Sequence, residues 1–205
     1  LLIQPSGDVV VQARPGAFAD AQCGTSLDGA SFVPSASGYA TLALANGWTH
    51  APFATSSAAA ALVGGVVRFK GAIAQGTTGV AFTLPPALRP PTDVYVPIGL
   101  CSANKGRLVV SSGGVVSIQS ETSFGEAQCF TSLDGAWFAP SSSGFTTLAL
   151  ANGWTPAPYA TSAVAARLDG GVVRFKGAMG SGTLSTAFTL PPELRPQAQV
   201  DLAID

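Results

Sequence analysis

One histidine, one methionine and three cysteines leave this 205-residue chain poor in the groups that do covalent, redox or metal chemistry. Charge is scarce too: only 10% of the residues are charged, and the formal net charge is −1. A surface that neutralises phosphates needs an excess of Lys and Arg, so no nucleic-acid partner is expected. No charged residue falls between Asp28 and Arg68, but Pro34, Gly38, Asn46, Gly47 and Pro52 interrupt that stretch. It lacks the roughly 20 unbroken apolar residues that a membrane-spanning helix requires, so no membrane insertion is expected. The start, Leu1-Leu2-Ile3-Gln4-Pro5, carries neither an initiator Met nor a basic region ahead of an apolar run. No targeting peptide is read there, and the chain is expected to be trimmed or processed. The cysteines show no metal-ligand spacing and no dense disulfide framework. Cys23 and Cys129 both follow Ala-Gln, whereas Cys101 has no counterpart. All three are expected as small buried apolar side chains, with redox state and compartment left open.

What is abundant is apolar and turn-forming: 47% hydrophobic residues, 24 Gly and 15 Pro. That composition belongs to a folded chain and not to a disordered polyelectrolyte. Self-similarity dominates the sequence. Thr25-Ser26-Leu27-Asp28-Gly29-Ala30 returns as 131–136, Leu42 to Thr49 as Leu148 to Thr155, and Gly64 to Gly71 as Gly170 to Gly177, always 106 residues later. About 52 of the 78 residues from 22 to 99 recur identically without a gap, and a weaker match reaches back to Leu1 against Arg107.

Each copy carries strand and turn signals. In Val66-Val67-Arg68-Phe69-Lys70, Val67 and Phe69 fall on one face and Arg68 and Lys70 on the other, the period-2 pattern of a half-buried strand. Leu108 to Ile118 reads as a hairpin turning at Ser111-Ser112-Gly113-Gly114, and Leu1 to Val11 reads as its twin. Ala81 to Leu84 and Asp93 to Val96 are further short strands, flanking a proline-rich crossing loop from Pro85 to Pro90. Ser57 to Leu62 is alanine-rich and fits either a strand or the start of a helix, as does its twin Ala163 to Leu168. Many short strands at close spacing predict an all-β chain: two similar antiparallel β-sandwich, jelly-roll-like units of roughly 100 residues each. Residues 1–99 would be the first unit, 100–106 a linker and 107–205 the second.

Little here builds an active site. His50 is replaced by Pro156 in the other copy, so a Ser-His-Asp or Cys-His device exists at most once, and His50 is expected as a satisfied or solvated loop residue. Asp28 and Asp134 sit in matching Leu-Asp-Gly turns, where Asp commonly bonds its own backbone. No carboxylate pair recurs at a spacing suited to glycoside hydrolysis, no Asp-rich loop suits calcium, and no Gly-rich loop opens a helix. No enzyme, cofactor or metal site is therefore expected. Arg68, Lys70, Arg89 and their twins Arg174, Lys176 and Arg195 are expected mostly on solvated faces, with Arg89 and Arg195 alternatively bonding loop carbonyls.

Aromatic residues carry the stronger functional signal. Trp48 and Trp154 follow the turn-forming pairs Asn46-Gly47 and Asn152-Gly153, and Phe53 and Tyr159 come five residues later. A flat ring beside amides and hydroxyls is how proteins hold sugars, whereas a ring over its own sheet merely caps the core. Trp137 replaces Ser31 of the other copy, either at a site or at the contact between copies. The candidate carbohydrate-binding set is Asn46, Trp48, Phe53, Trp137, Asn152, Trp154 and Tyr159.

The order of these elements carries a resemblance. Leu44 to Thr49, Gly65 to Gly71, Thr83 to Pro90, Leu108 to Ile118 and Ser132 to Phe138 resemble the C-terminal β-sandwich modules of bacteriophage tail fibres and receptor-binding tail proteins, here in tandem. The resemblance implies a non-enzymatic protein on the virion tail or in the extracellular space that attaches to bacterial surface polysaccharide. It also implies other virion or fibre subunits as partners and a homo-oligomer, with a trimer favoured. Alternatives are a structural virion protein, such as a capsid decoration or fibre module, and a secreted bacterial lectin or filament subunit. In the family order residues 41–140 contain every element once, while 147–205 lack the closing hairpin and the Ser-Leu-Asp-Gly segment. Residues 1–35 carry those missing elements, so an alternative division pairs 1–35 with 147–205, within one chain or by exchange with a neighbour.

Overall fold

A computed structural model describes residues 1–202 of the chain, apart from 24, 26, 28 and 29. Asp28 and the first Leu-Asp-Gly turn thus lie outside the described residues. Strands β1 (Leu2–Ile3) and β2 (Val9–Val10) pair only with each other, and helix α1 (Phe18–Cys23) follows. Then come β3 (Ala40–Thr41), β4 (Thr49–His50), β5 (Ala59–Val63), β6 (Val66–Lys70), β7 (Ala72–Ala74), β8 (Val80–Thr83) and β9 (Val94–Gly99). After these lie β10 (Lys105–Val110), β11 (Val115–Ser120), helix α2 (Phe124–Cys129), β12 (Thr131–Ser132) and β13 (Trp137–Phe138). The remainder holds β14 (Thr146–Thr147), β15 (Thr155–Pro156), β16 (Ala165–Asp169), β17 (Val172–Lys176) and β18 (Met179–Gly180). The all-β expectation holds, with every strand pair antiparallel and two short helices that no sequence signal announced.

Two four-stranded sheets face each other: β8-β11-β10-β9 and β13-β6-β5-β3. Phe69 of β6 joins them, with its ring centroid 6.2 Å from that of Phe82 on β8 and 6.0 Å from that of Phe138 on β13. A smaller sheet, β12-β7-β4, stands beside them. The β10–β11 hairpin shows why the sandwich closes. Leu108, Val110, Val116 and Ile118 alternate with polar or half-exposed residues and are all buried, because successive strand side chains point to opposite faces. The alanine-rich segment is strand β5 despite its helix propensity. Gly64 and Gly65 both take positive φ and turn the chain so that Ala59, Ala60 and Ala61 pair with Lys70, Phe69 and Arg68. Small side chains suit this place, since all three alanines are buried.

Several expectations are corrected. Lys70 is buried and not solvated, because both faces of β6 are covered. Asp134 does not bond its own turn: its Oδ1 accepts the Gly71 backbone N–H at 2.8 Å, tying the β12–β13 turn to the end of β6. Cys101 and Cys129 are not buried thiols. They form a disulfide across a Cα–Cα distance of 5.7 Å, linking the β9–β10 turn to α2, while Cys23 is an exposed free thiol. Residues 100–106, expected as a linker, connect two strands paired over six residues, from Lys105↔Gly99 to Val110↔Val94.

Buried residues fall into two clusters. The larger runs from Leu42 to Phe138. The smaller comprises Leu148, Val164, Ala166 and Leu194, with Phe175, Phe188 and others packed on it. In both copies of the repeat a glycine floor receives a tryptophan: Gly76 lies flat against the Trp48 indole and Gly182 against that of Trp154. A methyl group at either glycine would overlap the ring. Gly76→Ala is expected to cost about 1–3 kcal/mol through overpacking. Gly182→Ala should cost less, because Trp154 is only half-buried and its ring has room to shift. Urea unfolding of the two variants checks both statements.

Candidate functional site

The Asn-Gly-Trp turns are locked inward. Asn46 takes a left-handed φ of 50°, its Nδ2 donates to the Val80 carbonyl at 2.9 Å, and its own carbonyl accepts the Thr77 N–H and hydroxyl. Trp48 is 5% exposed, donates its indole N–H to the Thr78 carbonyl at 2.9 Å and meets Phe124 edge-on at 6.2 Å. The second copy repeats these bonds. Asn152 Nδ2 reaches the Thr186 carbonyl at 2.8 Å and Trp154 Nε1 reaches the Leu184 carbonyl at 2.8 Å. A side-chain N–H of each of these four residues is therefore engaged with the backbone, and the Trp48 ring is covered.

The other aromatic pair faces outward. Phe53 is 75% exposed and Tyr159 82% exposed, each in a single turn, Pro52–Ala54 or Pro158–Ala160. Ala51, Phe53 and Ala54 all have positive φ, and Ala157, Tyr159 and Ala160 repeat the pattern. Left-handed backbone at a residue with a Cβ costs roughly 1–2 kcal/mol. It persists because the turns are pinned: the hydroxyls of Thr55 and Thr161 donate to the carbonyls of Pro52 and Pro158, at 2.6 and 2.5 Å. Such strain collects at functional sites. The Phe53 ring also leans on half-buried Phe130, with centroids 5.9 Å apart, so two rings form one apolar platform. Sequence reasoning missed Phe130, which pattern alone does not bring near Phe53.

Trp137 lies elsewhere, between the two buried clusters. On β13 it pairs with Arg68, and the Arg174 guanidinium of β17 sits 5.1 Å from its ring centroid. Asp169 holds Arg174 Nε at 3.1 Å and Arg167 at 3.2 Å. Arg167 in turn donates to the Gly64 carbonyl at 3.3 Å. Lys176 bonds the Ser142 hydroxyl at 2.9 Å, and burial lowers its pKa from the usual value. The first copy has Ala61 and Val63 where the second has Arg167 and Asp169, so this charged contact belongs to the second copy.

The remaining candidates have structural partners. His50 Nδ1 accepts the Ala58 N–H at 3.2 Å, and Arg89 and Arg195 each donate Nε to a loop carbonyl, of Leu84 and Leu190, at 2.8 Å. A cleft of about 360 Å³ between β3 and the Pro85–Arg89 loop is lined mainly by Ala, Leu and Thr. No cluster of three or more His, Cys, Asp and Glu suited to a metal ion occurs among the described residues, and no helix there is long and apolar enough to cross a membrane.

No protein family and no curated protein matches the chain. Among solved structures, the receptor binding protein (gp15) of Listeria phage PSA is similar to it at 22% identity and a TM-score of 0.39. The match covers 60% of this chain and 73% of that one. A score of that size does not establish a common topology.

Backbone strain at the exposed turns makes a direct prediction. Ala54→Gly and Ala160→Gly remove the Cβ penalty at positive φ and are expected to raise stability by up to about 1 kcal/mol each in urea unfolding. A loss of stability in both would contradict the left-handed turns.

Proposed function

We propose that the chain is a non-enzymatic receptor-binding module of the phage tail-fibre type, which attaches to bacterial surface polysaccharide through Phe53 and Tyr159. One observation carries this reading: two large rings stand almost bare at equivalent positions, each on a strained and pinned turn. Exposed rings of this kind cover the apolar face of a sugar, and a rigid mount keeps the entropy of binding low. The Phe53–Phe130 pair offers the broader platform, and Tyr159 adds a phenol able to bond a sugar hydroxyl. Two weak sites in one chain, multiplied in a homo-oligomer such as a trimer, gain avidity on a repetitive polysaccharide without further contacts. The Cys101–Cys129 disulfide supports a place outside the reducing cytosol, on a virion tail or in the extracellular space.

The test is binding of the full chain to an array of bacterial surface polysaccharides. Phe53→Ala and Tyr159→Ala remove exposed rings and leave folding intact, so each is expected to weaken binding on the order of tenfold, the loss of a stacking contact of about 1.4 kcal/mol. The double variant should lose avid binding. Absence of binding by the unaltered chain at high concentration would overturn the reading in favour of a structural virion role. Trp48 is unsuited to this test, because its buried ring carries the fold.

A further inference from the structure

We propose that the boundary between the two copies of the repeat carries an anion-binding site, in which Arg68, Arg167, Arg174 and Lys176 take the oxyanion of a phosphate or carboxylate group. The site does not involve Phe53 or Tyr159 and stands whatever those rings hold. Positive charge is scarce in this chain, with ten Lys and Arg in 205 residues. Four of the ten meet here, and Asp169 is the one carboxylate in ion-pair contact with them among the described residues. An excess of one sign at half-buried groups is costly, and a bound counter-charge relieves it.

Strand register and ring contacts bring the four together. Trp137 and Arg68 stand opposite each other in the β13–β6 ladder and so share a face. The Arg174 guanidinium lies over the Trp137 ring, 5.1 Å from its centroid. Arg174 itself stands opposite Arg167 in the β16–β17 ladder, a like-charge pairing that is destabilising on its own. Asp169 bridges the two through a single oxygen, Oδ2, at 3.1 and 3.2 Å. Arg167 and Lys176 then share the Phe145 ring, at 4.7 and 5.6 Å from its centroid. A continuous cationic strip results, running from Arg68 to Lys176 and flanked by two aromatic rings.

Donors along the strip are left over. A guanidinium offers five N–H bonds. Arg174 uses Nε on Asp169 and has no partner for its Nη atoms among the described residues, and Arg68 has neither a hydrogen bond nor an ion pair there. Arg167 donates its Nη atoms to Ser143, Gly64 and Asp169, but its Nε is buried without a partner. Lys176 reaches the Ser142 hydroxyl at 2.9 Å, and burial lowers the pKa of its ammonium. A half-desolvated cation of that kind gains more from a charged oxygen than from a neutral one. The planar forks of Arg68 and Arg174 suit an oxyanion, because each can present two parallel N–H groups to two oxygens. Both arginines of β16 and β17 remain within reach of solvent, at 17% and 14% side-chain exposure, so a small anion can arrive without unfolding the boundary.

Isothermal titration calorimetry of the full chain with inorganic phosphate, with glucuronate and with glucose, at fixed ionic strength, tests the site. Both anions are expected to bind with dissociation constants on the order of 1 mM, and glucose far more weakly than glucuronate. Binding of just one of the two anions supports the site and identifies the oxyanion it takes. Arg68→Gln removes a charge that bonds nothing in the fold, so folding stays intact and anion binding is expected to weaken about tenfold, the loss of a charge-assisted hydrogen bond. Lys176→Gln, at the other end of the strip, is expected to weaken it similarly. The proposal fails if neither anion binds at tens of millimolar, if glucose binds as tightly as glucuronate, or if both variants bind the anions as the unaltered chain does.

Discussion

Backbone groups at sheet edges need partners, and the larger sandwich depends on how it supplies them. Strands β6, β7, β8 and β9 have their outer partners only because residues 105–138 return along them. The same return inserts Leu108, Val110, Val116, Ile118 and Phe138 into the space between sheets. Hydrogen bonding and apolar burial are therefore satisfied by one stretch of chain, and the Cys101–Cys129 disulfide and the Asp134–Gly71 bond fasten that stretch at both ends. In the region of 146–202, where no such stretch lies alongside, the cluster is small and its aromatic residues are half-covered.

The turns divide the aromatic residues by role. Asn46-Gly47-Trp48 and its twin point their polar atoms at backbone carbonyls and their rings at glycine, so these tryptophans belong to the sandwich. Five residues after each tryptophan the left-handed turns leave Phe53 and Tyr159 exposed. A ring that is buried contributes to stability through area removed from water, while a ring held out on strained backbone contributes nothing to the core it leaves. That contrast is what recommends Phe53 and Tyr159 over Trp48 and Trp154 as surfaces for a ligand.

Much of the fold was legible. The Val66–Lys70 strand, the period-2 burial of the Leu108–Ile118 hairpin, the Gly-Gly turn and the proline-rich crossing all appear where local pattern placed them. Other features were not legible, because they depend on residues distant in sequence. Lys70 is buried by whatever covers the second face of its strand, and no alternation within the strand reports that. Asp134 looked like a self-bonding turn residue, but Gly71 lies 63 positions away. Cys101 and Cys129 became a pair only when α2 docked on the β9–β10 turn. Of the candidate site, the two exposed rings were named among seven residues, but nothing in their spacing separated them from the covered or half-covered tryptophans.

By itself the sequence determined the 106-residue repeat, the all-β class and the scarcity of groups for covalent or metal chemistry, since these follow from residue identity, order and local periodicity. Tertiary structure alone decided which copies of each element are covered. Leu108 and Leu2 occupy equivalent positions of the repeat, yet one is fully buried and the other is 40% exposed. Burial is a property of the neighbours that a fold brings together, and equivalent segments of a repeat differ in it whenever their neighbours differ.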